Sequence, residues 1–328
     1  MYQLKVTTQT WPIAGSFRIA HGSVREVYVV VVGIGDGKVT GRGECRPYAR
    51  YKETPETVTA QIMAIADTIR AGIDTQSLQE LLPAGAARNA VDCALWDLKA
   101  KQSGQAVWQI LSLPEPRART TAFTLSIDSP ERMAKAAIAA RQYPILKLKI
   151  GSMDGLPACL AVLKARPDAQ LIIDANEALS ADELVEFRAA LSHAPVLMIE
   201  QPLKSDIYDQ IENSPDALPI LCADESLHTR DDLQKLWDAG YRAVNVKLDK
   251  CGGLTEGVAL MRQAKSMGFL IMSGCMVGTS LAMAPMMMLE SFADFIDLDG
   301  PLLLAKDIGS GLVFEEAIIN PPSTKLWG

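Results

Sequence analysis

Residues 145–250 contain a repeating unit that constrains the fold more than any other feature of this 328-residue chain. Five short apolar runs follow one another, and each ends in charged or polar residues, at 146–150, 172–176, 199–202, 222–226 and 244–250. About one helix and two loops would fit between successive runs. A parallel α/β barrel builds its active site from charged groups at the C-terminal ends of its strands. We therefore predict neighbouring barrel strands with a shared site at one end.

The rest of the chain extends this pattern to eight strand candidates. Strands are predicted at 121–126, 145–150, 170–174, 196–200, 219–223, 242–247, 269–273 and 292–298. Helices are predicted between them at 130–142, 154–166, 181–192, 205–213, 229–238, 255–267 and 279–289. Short strands alternating with longer helices favour parallel pairing. The predicted fold class is α/β, with a (β/α)7β TIM-like barrel over residues 116–305.

The first 115 residues lack this alternation. Two β segments in 1–35 precede a Pro/Tyr/Arg-rich loop after residue 45, helical patterning at 56–71, and an alanine-rich amphipathic helix at 86–101. We predict an α+β capping domain over residues 1–115. The tail at 306–328 contains no further strand–helix unit, so we expect it to return to the capping domain.

Composition excludes several classes of partner. The net charge is −7 and no Lys/Arg-rich run is present, so a nucleic-acid partner is not expected. Residues 266–289 are uncharged, but glycines and Pro285 interrupt them, and we predict strand, loop and helix rather than a membrane span. Six cysteines without a CxxC pair, and no signal pattern at the start, are typical of a cytoplasmic protein.

Three acids indicate a metal site. Asp174, Glu200 and Asp224 each follow an apolar triplet on successive predicted strands. Because adjacent strands lie about 5 Å apart, three carboxylates at the same height would converge on one cation, and hard oxygen ligands suit Mg²⁺. The alternative is that each acid caps a helix or solvates a loop. That alternative explains one acid better than three in phase.

Three lysines indicate acid–base chemistry. Lys147 and Lys149 share the inward face of one predicted strand, and Lys247 follows a strand four further round the barrel, facing them. Clustered amines depress one another's pKa, which would let one act as a base. Two amines on opposite sides of a substrate would support racemisation or epimerisation. The alternative, salt bridges from these lysines to the acids, explains the charge balance but not the facing positions.

A further acidic pair ends the eighth predicted strand. Asp297 and Asp299 stand two residues apart and share a face. They would be able to hold an ammonium group. A solvated loop end is the alternative.

Together these motifs resemble a known family. The KxK, DxN, ExP, DES and NxK series is similar to the enolase superfamily, muconate-lactonizing subgroup. Segments 245–253, 274–276 and 297–301 resemble the dipeptide epimerases, whose best-known activity is on L-Ala-D/L-Glu. The resemblance covers nearly the whole chain and includes 43–45 and 88–92 of the predicted capping domain.

The resemblance implies a role for each candidate residue. Mg²⁺ would be bound by Asp174, Glu200 and Asp224, the acid/base catalysts would be Lys149 and Lys247, and the substrate would contact Lys147, Asp297 and Asp299. In that assignment Lys147 pairs with the substrate carboxylate, and the two aspartates bind the α-ammonium. Backbone from Cys275 to Val277 would line the peptide. A basic residue of the 17–26 loop would bind the second side chain; Arg25 is the first candidate, with His21 and Arg18 behind it.

The implied activity is Mg²⁺-dependent epimerisation of L-Ala-L-Glu to L-Ala-D-Glu by two-lysine proton transfer through an enediolate, in cell-wall peptide metabolism. Elimination of the muconate cycloisomerase or o-succinylbenzoate synthase type is the alternative, although those substrates carry no ammonium for Asp297 and Asp299. A Schiff-base aldolase would not need three carboxylates in phase, and a binding protein would leave buried lysines unexplained. Superfamily members are often homo-oligomers, so the oligomeric state stays open.

Overall fold

The computed structural model of the chain describes residues 1–19, 22–208 and 218–328, with side chains of 15–24 outside that description. The candidates His21 and the Arg18 side chain therefore fall outside it. So does most of the predicted helix near 205–213, of which residues 205 and 206 form a turn.

An antiparallel sheet with helices packed against it forms the N-terminal part. The strands are β1 (Gln3–Ile19), β2 (Gly22–Gly35) and β3 (Thr40–Cys45), in that order. The helices and the short strand that follow are α1 (Pro55–Ala64), α2 (Ala66–Ala71), α3 (Thr75–Leu81), α4 (Ala86–Ser103), α5 (Val107–Ile110) and β4 (Arg119–Thr120). Val30, Val32 and Ile34 of β2 alternate into the core against these helices.

Two glycines let β3 lie directly on α4. A β-carbon at Gly41 or Gly43 would stand 2.1 Å from the carbonyl oxygen of Ala94 or Ala90, closer than any side chain allows. The predicted helices at 56–71 form two helices, because the chain breaks at Ile65. The alanine-rich helix predicted at 86–101 is confirmed as α4.

Eight parallel strands follow in sequence order. They are β5 (Phe123–Leu125), β6 (Ile145–Lys149), β7 (Gln170–Asp174), β8 (Val196–Glu200), β9 (Ile220–Ala223), β10 (Ala243–Val246), β11 (Leu270–Gly274) and β12 (Phe295–Asp297). Ala122 N donates to Ile296 O at 2.8 Å, and Thr121 pairs with Ile296 in parallel. This bridge joins the two ends of the sheet, so the predicted barrel is confirmed and nearly closed.

Helices surround the strands. They are α6 (Pro130–Ala139), α7 (Leu156–Ala165), α8 (Ala181–Ala190), α9 (Leu233–Asp238), α10 (Leu248–Cys251), α11 (Leu254–Ser266) and α12 (Ser280–Met287). Ser129 is the N-cap of α6, with proline at the first helical position. The one-turn helix α10, directly after β10, was not predicted. No helix of the described residues is long and apolar enough to cross a membrane.

Two apolar layers position the strands. Leu148 belongs to the large core between the strands and the surrounding helices, which leaves Lys147 and Lys149 on the inner face. The barrel interior is filled by a separate buried cluster, Ala122, Ile172, Met198, Cys222, Ala243 and Met272. Charged side chains farther along the same strands therefore stand above an apolar floor.

The C-terminal tail contacts both parts of the molecule. Strands β13 (Phe314–Glu315) and β14 (Ile318–Ile319) form a small antiparallel sheet with β4 at the entry to the barrel. Beyond it, Trp327 Nε1 donates to Arg42 O at 2.9 Å and Gly328 N donates to Asp97 Oδ1 at 2.9 Å. The boundaries at 115 and 305 remain predictions.

Candidate active site

A cavity lies at the C-terminal ends of the barrel strands, between the barrel and the loop after β3. Eight of the predicted site residues line it: Lys147, Lys149, Asp224, Lys247, Cys275, Val277, Asp297 and Asp299. Asp174 and Glu200 are fully buried and join them through ion pairs. Arg25 is exposed and is not among the lining residues. The structure thus brings together every predicted site residue except this one.

Lys147 stands at the centre of the charged cluster. Its Nζ is 2.7 Å from Asp297 Oδ2, 2.7 Å from Glu200 Oε2 and 3.2 Å from Asp174 Oδ2. A buried ammonium needs such partners, because an uncompensated charge in a barrel interior is strongly unfavourable. Lys147 therefore links the three acids from β7, β8 and β12.

The two predicted catalytic lysines start from opposite sides of the cavity. Lys149 ends β6, and its Nζ is 2.6 Å from Asp174 Oδ2 and 3.1 Å from Asn176 Oδ1. Lys247 follows β10, and its Nζ is 2.6 Å from Asp224 Oδ2. Strands β6 and β10 are four apart in a barrel of eight. Each amine thus has an acid beside it and borders the same space.

The strand register offsets the three acids along their strands, and in a tilted barrel such an offset does not by itself place them at different heights. Lys149 pairs with Asp174 and Asp174 with Glu200, but Glu200 pairs with Cys222. Asp224 thus stands two residues beyond Cys222, the residue that pairs with Glu200, toward the C-terminal end of β9. Barrel strands are tilted and staggered, so register shifts of this kind are required for closure. Since the shift is even, Asp224 stays on the inner face.

The acids set the protonation of two lysines. Burial lowers the tendency of Lys147 and Lys247 to carry charge, but neighbouring acids outweigh it and raise the pKa of both well above the ordinary value. Asp297 is the strongest of these acids for Lys147, and Asp224 for Lys247. Lys147 does lower the pKa of Lys247, as expected of clustered amines, but the acids outweigh this effect, so the expected net depression is not found for these two lysines.

Several carboxyl groups of the cluster hold their protons more tightly than usual. Burial, followed by the charge of Asp174, raises the pKa of Glu200 to about 8. Burial also raises the pKa of Glu225 to about 7 and that of Asp299 to about 7, with Asp224 and Asp297 as the adjacent charges. These three shifts share their causes, which are burial and the charge of neighbouring carboxylates. The cluster contains more acids than lysines: six acids, at 174, 200, 224, 225, 297 and 299, and four lysines, at 147, 149, 247 and 250.

The acids fit a divalent cation by their chemistry. Full ionisation of six acids against four ammonium groups leaves two negative charges, and buried carboxylate oxygens are the ligands that Mg²⁺ prefers. Glu200 Oε2 is buried and accepts no well-directed hydrogen bond from the described residues, although Lys147 lies 2.7 Å away. In the described part of the chain no group of three or more Asp, Glu, His or Cys is arranged around a metal position. The lysine ammonium groups lie against the oxygens instead.

Sequence reasoning missed several residues of the cavity. Arg46, Tyr48 and Tyr51 reach it from the Pro/Tyr/Arg-rich loop, whose composition gave no direction for its side chains. Asn176 and Glu225 belong to the DxN and DES motifs and hydrogen-bond to each other at 2.9 Å. Their place in the DxN and DES motifs was the sequence signal that could have identified them as cavity residues.

Lys250 is a buried residue that was also missed. It comes from α10, donates to the backbone oxygen of Asp224, and forms an ion pair with its Oδ1. Asp224 therefore contacts two ammonium groups, those of Lys247 and Lys250. Burial opposes the charge of Asp224, but these lysines hold the pKa of its carboxyl well below the ordinary value.

Contacts at Glu44, Arg50 and Gly252 are among those that hold the N-terminal part over the barrel. Glu44 Oε1 accepts from Thr279 N at 2.8 Å. Arg50 donates to both carboxylate oxygens of Glu177, at 2.8 and 2.6 Å. At Gly252, φ is +84° and a β-carbon would meet the Arg88 side chain at 2.3 Å, so only glycine fits between α10 and α4. The cavity is thus shared between the two parts.

Comparison with known proteins agrees with this architecture. Residues 131–322 match the family model described as enolase C-terminal domain-like. Residues 1–112 match the mandelate racemase / muconate lactonizing enzyme N-terminal domain. Together the two models cover most of the chain.

Two curated relatives are similar over nearly their full length. The chain is 42% identical over 316 residues to the L-Ala-D/L-Glu epimerase of Escherichia coli (strain K12), covering 96% of this chain and 98% of the relative. It is 44% identical over 302 residues to an N-acetyl-D-glutamate racemase of a Pseudoalteromonas species, covering 92% and 95%. Both relatives invert a stereocentre, as their names state.

Solved structures extend the similarity to three dimensions. An enolase family member from Agrobacterium tumefaciens with homology to dipeptide epimerases, crystallised with sodium and L-Ala-L-Glu, is 43% identical. It superposes with a TM-score of 0.93 and full coverage of both chains. A dipeptide epimerase from Methylococcus capsulatus, complexed with Mg and L-Arg-D-Lys, is 26% identical with a TM-score of 0.86, covering 98% of this chain and 97% of that one. The chain therefore belongs to the mandelate racemase / muconate lactonizing enzyme group of the enolase superfamily and is an isomerase of its dipeptide epimerase family.

Proposed function

We propose that the protein epimerises a dipeptide with an acidic second residue, L-Ala-L-Glu to L-Ala-D-Glu, by proton transfer at the α-carbon of that residue. The observation that carries the proposal is the pair Lys149 and Lys247, which border one cavity from strands four apart. A proton removed by one amine and returned by the other from the opposite face inverts the stereocentre.

The acids at 174, 200 and 224 would hold Mg²⁺ in this proposal. Their buried oxygens support it, as do the two negative charges that full ionisation of the cluster would leave uncompensated. The cation would supply charge stabilisation to the substrate carboxylate as the α-proton leaves. Lys147 would bind the same carboxylate, since its ammonium lines the cavity and lies directly against two of these acids.

Asp297 and Asp299 would bind the α-ammonium of the first residue. Asp297 Oδ1 is buried and accepts no hydrogen bond from the described residues, so an acceptor is available there. Asp299 is oriented by Thr124 N, which donates to its Oδ2 at 2.7 Å. Cys275 and Val277 line the cavity beside them, where the peptide would lie.

Racemisation of an N-acylated glutamate is a second candidate. It needs the same two lysines, and the 44% identical racemase supports it. An N-acyl substrate has no ammonium, however, and would place an uncharged amide beside two acids. Elimination of the muconate cycloisomerase or o-succinylbenzoate synthase type has the same difficulty and has no comparable support among the relatives described above.

The test is proton exchange in D₂O. The protein is incubated with Mg²⁺ and L-Ala-L-Glu, and the glutamate α-proton is followed by NMR, with N-acetyl-L-glutamate in a parallel sample. Loss of the dipeptide signal with appearance of the L,D diastereomer supports the proposal. Exchange of N-acetylglutamate alone would favour the second candidate. Exchange of neither compound, nor of any other dipeptide, would refute both.

We also propose a cytoplasmic location and a role in cell-wall peptide metabolism. All six cysteines are free thiols and five are buried, which suits a reducing compartment. The metabolic role follows from the Ala-Glu substrate proposed above. A homo-oligomer stays a prediction, which light scattering on the purified protein would check.

A further inference from the structure

Arg46 is the one cation lining the cavity that has no acidic partner among the described residues. The other cations there are Lys147, Lys149 and Lys247, and each has a carboxylate oxygen at 2.6 to 2.7 Å. No carboxylate oxygen of the described residues lies within 4.0 Å of the Arg46 guanidinium. Arg46 thus carries an uncompensated charge at the border of the site.

Most hydrogen-bond donors of Arg46 are not used within the described chain. A guanidinium has five N–H groups. In Arg46 only Nη1 donates, to Val277 O at 3.3 Å. Arg88 and Arg119 are more fully engaged: Arg88 donates to four backbone oxygens, and Arg119 to Glu290 and two further carbonyls. The other N–H groups of Arg46 have no acceptor among the described residues and face the border of the cavity.

The position of Arg46 is fixed from both sides. Its backbone N donates to Asp249 Oδ1 at 3.1 Å, and Asn89 Nδ2 donates to the same oxygen at 2.8 Å. The Tyr48 ring centre lies 5.8 Å from the guanidinium carbon. Burial lowers the pKa of Arg46 below its ordinary value and outweighs the opposing charge of nearby Asp249. A substrate carboxylate would balance the charge of the buried guanidinium and use its remaining N–H groups, because a guanidinium binds carboxylates with two parallel hydrogen bonds.

We propose that Arg46 binds the side-chain carboxylate of the substrate and so selects an acidic residue at the epimerised position. This inference rests on the proposed function. A dipeptide with an acidic second residue carries two carboxylates and one ammonium. Lys147 and the cation account for the α-carboxylate, and Asp297 and Asp299 for the ammonium, which leaves the side-chain carboxylate for Arg46. The resemblance assigned this task to a basic residue of the 17–26 loop; Arg25 is exposed outside the cavity, and the side chains of His21 and Arg18 fall outside the described residues.

The test compares L-Ala-L-Glu with L-Ala-L-Gln, which has the same shape and no side-chain charge. Arg46→Met should lower kcat/KM for L-Ala-L-Glu on the order of 100-fold, mainly through KM, so the preference for Glu over Gln collapses. Arg46→Lys, which keeps the charge without the planar fork, should recover part of the preference. Arg70→Met is the matched control, since Arg70 lies outside the cavity and pairs with Asp67 on the surface. Thermal unfolding of each variant checks that it folds.

The outcomes separate this inference from the proposed function. Arg46 is not the selecting residue if the Arg46→Met variant keeps the wild-type preference for Glu over Gln. The same follows if the folded variant loses kcat/KM equally for both substrates. In either case the epimerase proposal stands. If the wild type exchanges apolar dipeptides but not L-Ala-L-Glu, the inference fails together with the acidic substrate of the proposed function, and two-lysine epimerisation of a dipeptide stands. If it exchanges no dipeptide, both fail.

Discussion

At the residue scale, two equally buried aspartates show how neighbours decide the state of a carboxyl group. Asp224 contacts two ammonium groups, and its pKa lies well below the ordinary value despite burial. Asp92 lies at the contact between α4 and α11 and accepts hydrogen bonds from the Thr255 N and Oγ, at 3.0 and 2.6 Å. Neutral donors compensate burial less well than ammonium groups do, so the pKa of Asp92 is raised to about 7.

The state of Asp92 gives a pH dependence of stability. A raised folded-state pKa means that the folded chain binds more protons than the unfolded chain between about pH 4 and the folded value of about 7. The contribution of Asp92 to stability is thus fully present below that window and is lost as pH rises through it. Asp92→Asn should remove this component, which is on the order of 2 to 4 kcal/mol.

Urea unfolding of wild type and Asp92→Asn at pH 5 and pH 8 measures the effect. The wild type should lose more stability between the two pH values than the variant does. Asp67→Asn, an exposed aspartate of α2, is the control and should leave the wild-type slope unchanged. Equal slopes for wild type and Asp92→Asn would show that Asp92 is ionised across the range.

Residues at strand ends were predictable for a physical reason, and those of the capping loop were not. Successive side chains of a strand point to opposite faces, so Lys147 and Lys149 share one face of β6 independently of the rest of the chain. Arg46, in contrast, is held beside the cavity by a hydrogen bond from its backbone N–H to Asp249, 203 residues later in the chain. No local pattern encodes such a contact. The same holds for the two-residue stagger of Asp224, which depends on how the barrel closes.

At the scale of elements, the contact between β3 and α4 determines where the loop with Arg46 begins. Gly43 lies two residues before the end of β3, and Asn89 of α4 holds Asp249 next to Arg46. The helix positions were predictable from the periodicity of residues 86–101. The break at Ile65 and the single turn of α10 were not, because both depend on packing against other elements.

Gly43→Ala tests this contact. The added methyl group would overlap the Ala90 carbonyl, so β3 would have to move away from α4. We expect a loss of about 3 kcal/mol in the free energy of unfolding, measured in urea. Gly309→Ala, where a β-carbon meets nothing within 4 Å, should change stability little. Equal stability of the two variants would mean that the contact is looser than described.

At the scale of the whole molecule, the active site forms only when the N-terminal part is in place on the barrel. Arg50 supplies one of the joining contacts: both of its hydrogen bonds to Glu177 cross from the capping loop to the loop after β7. Ser205, after β8, donates its backbone N–H to the same carboxylate at 2.7 Å. Tyr48 and Tyr51 of that capping loop line the cavity, so this contact should influence substrate binding.

Arg50→Ala and Glu177→Ala, alone and together, measure the contact. Each single variant should raise KM for the dipeptide severalfold with a smaller change in kcat, because the loop would close less often. The double variant should be no worse than either single one, with a coupling of about 1 kcal/mol, as expected for a partly exposed bidentate pair. Additive losses would show that the two residues act independently.

The central claim is that Lys149 and Lys247 act from opposite faces of the substrate. Its most direct measurement is α-proton exchange in D₂O for Lys149→Ala and Lys247→Ala, each supplied separately with L-Ala-L-Glu and L-Ala-D-Glu. Both variants should lose epimerisation by at least about 1000-fold, in line with loss of a general acid or base. Each should retain exchange with one diastereomer only, and the two variants should retain opposite ones. Epimerisation that survives either substitution would contradict the claim, as would two variants that retain the same diastereomer.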